Sequence, residues 1–128
     1  MSLSVLAAAP LSSVLQASDL GRARNFYEGV LGLELSDVPG LGFFVSAGNG
    51  TRALVYTTGA GPGAATVAAF LVDDLLAVVA ELRGRGAVFE EYDMPPLVTV
   101  DGIADMGPMG KAAWFKDSEG NIINIVQM

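Results

Sequence analysis

The chain has 128 residues, 52% of them hydrophobic and 16% charged, with a net charge of −7 from 14 acidic and 7 basic side chains. That length supports one domain, and that hydrophobicity argues against disorder. The charge offers neither nucleic acid nor an anionic membrane the basic footprint that each requires. Cysteine and histidine are both absent, which removes disulfides, thiolate metal sites, cysteine nucleophiles, the commonest general base and the commonest zinc ligand.

The first fifteen residues are small and apolar, but the first ionised side chain is Asp19. A secretory signal starts with positive charge, so none is expected here. No apolar run approaches the ~20 residues that span a bilayer. A cytoplasmic protein is the expectation.

In chain order, residues 12–17 read as a strand. Ser18 and Asp19 then offer N-caps for a helix from Leu20. Leu20, Ala23, Phe26, Tyr27, Val30 and Leu31 recur at helical spacing, so one face is apolar. Gly32 suits the helix C-terminus. Residues 33–36 form a strand, 37–40 a turn and 41–47 a strand, with Leu41, Phe43 and Val45 expected on one face and Phe44 on the other. Gly48, Asn49 and Gly50 make a hairpin turn, and residues 51–57 a fourth strand. The glycine-rich segment 59–63 is linker-like.

After it the pattern restarts. Residues 66–72 read as a strand. Asp73 and Asp74 cap a helix whose apolar stripe is Leu75, Val78, Val79 and Leu82, and Gly84 and Gly86 end it. Residues 87–91 read as a strand, and a hairpin over 110–128 turns at residues 117–121. The order βαβββ therefore occurs twice in a single domain, as module one over about 12–58 and module two over about 65–127. One module would expose an apolar sheet face, and two together bury it. The expected fold is α+β, with the two βαβββ modules forming a cupped mixed sheet whose concavity is the default ligand site.

Segment 92–109 interrupts the second repeat. It holds Met94, Met106 and Met109 and three of the chain's six prolines. It reads either as a surface loop or as a lid over the concavity, since methionine adapts to irregular apolar ligands.

Ser18-Asp19-Leu20 through Phe26-Tyr27, Val30-Leu31-Gly32-Leu33, and Ala113-Trp114-Phe115-Lys116-Asp117 through Gly120-Asn121-Ile122-Ile123 carry a resemblance over roughly residues 12–127. The chain resembles the glyoxalase / bleomycin resistance protein / extradiol dioxygenase superfamily, the vicinal oxygen chelate fold. The resemblance implies a metal site at four strand positions, occupied here by Ser12, Ala53, Val67 and Asn124. Alanine and valine cannot ligate a metal, and serine and asparagine are weak neutral donors. No metal and no other cofactor is therefore expected, and no catalytic residue stands out.

Alternation places Ser12, Val14 and Gln16 on one face, as it does Val67, Ala69 and Leu71, Ala112 and Trp114, and Ile122, Asn124 and Val126. The residues expected to bind a ligand are Ser12, Gln16, Phe43, Tyr92, Met106, Trp114 and Asn124. Four of them have a structural alternative. Trp114 reads as pocket wall or core, Gln16 and Asn124 as ligand contacts or strand-bridging amides, and Tyr92 as polar handle or loop cover.

The first functional reading is a metal-free protein that binds a small, largely apolar molecule. The alternatives are a glyoxalase-type lyase, isomerase or dioxygenase with an atypical site, and a non-catalytic interaction module. The expected partners are a small-molecule ligand and a second copy in a homodimer, with no nucleic acid and no membrane.

Overall fold

The computed structural model describes residues 2–128. Strand β1 (Val14–Ala17) leads into α1 (Leu20–Arg24), which continues as a π-helical stretch, Asn25–Val30. Asp19 caps this helix, its carboxylate accepting from Arg22 N at 3.0 Å. Gly32 follows in the left-handed region at φ 66°, the backbone state that ends a helix most easily at glycine. Strands β2 (Glu34–Val38), β3 (Gly42–Ser46) and β4 (Arg52–Thr57) complete the first half. The second half contains β5 (Thr66–Leu71) and α2 (Leu75–Gly84), capped by Asp74. Beyond them lie a short ribbon of β6 (Asp93–Met94) and β7 (Leu97–Val98), then β8 (Ile103–Asp105), β9 (Lys111–Lys116) and β10 (Ile122–Gln127).

The strands form two four-stranded mixed sheets, ordered β1-β4-β3-β2 and β5-β10-β9-β8. In each, the first strand runs parallel to the last, and the remaining pairs are antiparallel. The expected cupped sheet is thus two sheets joined by side chains rather than by a backbone ladder. Among the described residues, no helix is long and apolar enough to cross a membrane.

One face of both sheets is buried in a common core. Leu15, Phe43, Val45 and Val55 enter it from the first sheet, and Ala113, Phe115, Ile123 and Ile125 from the second. Tyr27 and Leu75, Val79 and Leu82 cover them from the helices. The ring of Phe26 stacks on Phe115 with centroids 6.2 Å apart, so the first helix reaches the second sheet. The opposite face of each sheet remains open. Val14 is 58% exposed there, and Leu71 is 72% exposed.

Two expectations are corrected. Phe43 and Val45 do alternate with Phe44, but in the other phase. Phe43 is 1% exposed and faces the core, while Phe44 takes the open face. Two adjacent phenylalanines leave the phase undecided, and the pairing of Phe43 with Val55 decides it. The expected strand over 87–91 shrinks to a single bridge between Phe89 and Phe115. Its outer place is taken by β8, from the segment read as a loop. The Glu91 carboxylate accepts from Thr99 Oγ1 and Gly102 N, each at 2.7 Å, and so ties the chain back onto that segment.

Candidate functional site

The second sheet's open face is built around one cross-strand pair. Trp114 on β9 stands opposite Asn124 on β10, whose other neighbour is Ala69 on β5. Ala112 and Val126 form the next pair on this face. Tyr92, from the segment before the ribbon, meets Trp114 edge-on with centroids 5.6 Å apart. Burial, and then the nearby Glu90 charge, raise the Tyr92 phenol above its ordinary value, so it stands as a neutral donor. Asn124 Oδ1 is buried and has no hydrogen-bond partner. Such an acceptor costs about 1–3 kcal/mol, and one that persists in a native fold calls for an explanation.

On the first sheet, Val14, Gln16, Phe44, Leu54 and Tyr56 share the open face by register. Gln16 Nε2 donates to the Glu119 carbonyl at 2.9 Å, and Asn121 Nδ2 donates to the Gln16 carbonyl at 2.9 Å. These bonds assign Gln16 to the joint between the halves, yet its Oε1 is also buried without a partner. The Arg52 guanidinium lies over the Phe44 ring, 3.8 Å from its centroid.

Between the sheets opens a cavity of about 390 Å³, within the roughly 300–1,000 Å³ of small-molecule pockets. Leu15, Tyr27, Val45, Ala53, Phe70 and Ile123 form its apolar wall, and Ser12, Asn49 and Arg52 are among its polar lining. Ala69 and Leu71, which share the open side of β5, also line it. Cavity and aromatic face therefore meet along β5.

The structure brings Tyr92, Trp114 and Asn124 together and places Ser12 at the cavity. Gln16 stands on the open face, beside the other sheet's hairpin. Phe43 is in the core. Met106 is half-buried at the end of β8, where its N–H donates to the Gly110 carbonyl, and it does not line the cavity. Sequence reasoning missed Phe44 and Arg52. Period-two alternation on β4 carries the signal for Arg52, once Val55 is known to point inward.

The donor set does not fit the metal that the fold family implies. Ala53 pairs with Val45 and shares its core-facing side, so the open-face residue at that level of β4 is Arg52, a cation. Ser12, Val67 and Asn124 add no carboxylate and no imidazole. Among the described residues, no group of three or more His, Cys, Asp or Glu side chains could hold a metal ion.

The hairpin turn between β9 and β10 contributes structure rather than chemistry. The Glu119 carboxylate accepts from Ser18 N, Asp19 N and Arg22 Nε at 2.9, 3.0 and 2.7 Å. Its hydrogen bond from Arg22 holds the acid down to about 2. Tyr27 OH donates to Asp117 Oδ2 at 2.5 Å, and burial raises this phenol far above its ordinary range.

Solved structures share this architecture. TnmS3, an antibiotic binding protein from Streptomyces sp. CB03234, superposes with a TM-score of 0.61 at 24% identity, covering 94% of this chain and 97% of that one. A lactoylglutathione lyase from Agrobacterium tumefaciens gives 0.64 at 20% identity over 93% and 92% of the two chains. A glyoxalase/dioxygenase from Nostoc punctiforme gives 0.67 at 16% identity over 99% and 96%. At these identities the likeness is one of fold, and one fold carries many chemistries. Among proteins of curated function, none matches significantly. The sequence profile of one family matches residues 9–125, and on that match the chain belongs to the Glyoxalase/Bleomycin resistance protein/Dioxygenase superfamily.

Proposed function

We propose that this protein binds a small, largely apolar molecule against the open face of its second sheet and the adjoining cavity, without a divalent metal. The observation that carries the reading is Asn124 Oδ1, a buried acceptor with no donor, set beside Trp114 and Tyr92. A ligand N–H or O–H would satisfy it once the amide turns its oxygen to the open face, while the aromatic pair contacts the ligand's body. TnmS3, which shares the fold, is an antibiotic binding protein, and that class of role supports the reading. A homodimer would cover Val14 and Leu71, since exposed apolar sheet faces favour association.

The test is a titration of Trp114 fluorescence with a panel of aromatic and polycyclic compounds, with Trp114→Phe as the blank. Saturable quenching supports the reading, and a panel without binding or thermal stabilisation overturns it. The alternative is a lyase, isomerase or dioxygenase with an atypical site. Elemental analysis of untagged protein showing a stoichiometric metal would favour that alternative.

A further inference from the structure

Among the described residues, Arg22, Arg24, Arg85 and Lys116 each pair with a carboxylate, and Arg83 donates to the Asp101 carbonyl. Arg52 does neither. What distinguishes the exposed Arg52 side chain from Lys111 is its place on an aromatic ring at the rim of a cavity. Glu34, on the same face, stands two strands away across Ser46. The guanidinium instead lies on the Phe44 ring. Stacking orders the guanidinium plane without using its N–H donors, which lie in that plane and remain free for an acceptor.

The position adds a second indication. Strand β1 pairs with β4 in parallel, Val14 opposite Leu54. Carried two residues back, the register sets Ser12 opposite Arg52, and both line the inter-sheet cavity. A hydroxyl and a cation thus stand together at the exposed rim of an otherwise largely apolar volume.

We infer that Arg52, ordered by Phe44 and flanked by Ser12, anchors the carboxylate of an amphipathic ligand whose apolar body occupies the cavity. A guanidinium matches a carboxylate in shape and charge. A phosphate dianion would leave excess negative charge in a chain already at −7. The inference rests on the small-molecule reading and adds the ligand's class. At the level where the fold family places a metal, the positive charge belongs to the protein itself.

The experiment is calorimetric titration of wild type, R52Q and R52K with matched acids and amides: 1-naphthoic acid and 4-phenylbenzoic acid, each beside its primary amide. The acids are expected to bind wild type about tenfold or more tightly than the amides. R52Q is expected to abolish that preference and R52K to restore part of it. Independently of any variant, added salt should weaken the acids and leave the amides unchanged. Equal binding of acid and amide by wild type, or a preference that R52Q leaves intact, overturns the inference while the small-molecule reading stands. Binding of neither class overturns both.

Discussion

Arg22 and Glu119 lie 97 positions apart in sequence, and their side chains meet at 2.7 Å. The Glu119 side chain is fully buried. It gathers the first two N–H groups of the Ser18-Asp19 cap as well as the guanidinium. One carboxylate therefore locks the start of the first helix onto the last hairpin. Substitution Glu119→Ala leaves those part-buried bonds unmade and should cost about 2 kcal/mol. Urea unfolding checks this, as a lowered midpoint at unchanged slope.

The same carboxylate makes stability depend on acid. Its folded value is about 2 against an ordinary 4.5, so the folded state takes up its proton less readily than the unfolded chain. The contribution is fully present above about 4.5 and is lost as the pH falls through about 2. The melting temperature of wild type should therefore drop across that window. In Glu119→Gln the drop should be shallower, because the variant has no proton to take up at this position. Parallel curves for the two proteins would contradict the assignment.

Tyr27→Phe removes the donor to the buried Asp117 carboxylate and little else, since the ring stays packed against Phe26 and Phe43. Asp117 keeps its bonds from Glu119 N, Asn121 N and Asn121 Nδ2. The expected loss is about 1–2 kcal/mol, read as a fall in melting temperature without change in the folded circular dichroism spectrum.

Asn124→Leu should separate stability from binding. The wild-type acceptor is buried and unpaired, and an apolar replacement removes that penalty. The free variant should be as stable as wild type or up to about 2 kcal/mol more so. Its affinity for any ligand that donates to Asn124 should fall about tenfold or more. A variant that loses stability and keeps its affinity would assign Asn124 a bridging role instead.

Gly110→Ala tests the approach of β9 to β10. The residue sits at φ 98°, and a Cβ there would come within 1.9 Å of the Gln127 carbonyl oxygen. Backbone must move on one strand or the other. A loss of more than about 2 kcal/mol is expected, with solubility the first readout and thermal melting the second.

The repeat was legible because its signals are local. Asp19 and Asp74 accept from Arg22 N and Ala77 N, a reach of three residues that any cap shows in sequence. The core-facing helix residues Ala23, Tyr27, Leu75, Val79 and Leu82 likewise follow from spacing alone. Strand phase was less accessible. Where Asn124 stands between Ile123 and Ile125, alternation placed it on the face opposite to theirs. Where Phe43 and Phe44 adjoin, it did not, and the hydrophobic pattern could not separate core from surface. The segment holding β8 failed for a related reason: three residues with one buried side chain do not make a periodic signal.

The sequence by itself determined the repeated order of elements outside segment 87–109, both helix caps and the superfamily. All of these depend on residue identity and on contacts a few positions apart. Tertiary structure alone decided that Glu119 clamps the helix cap, that Arg52 rather than Ala53 faces the open side, that a cavity lies between the sheets and that Asn124 Oδ1 has no donor. These depend on which chain passes beside which at a separation of tens of residues. Strand register sets that relationship, and a shift of one residue would have turned every side chain of a strand to its other face.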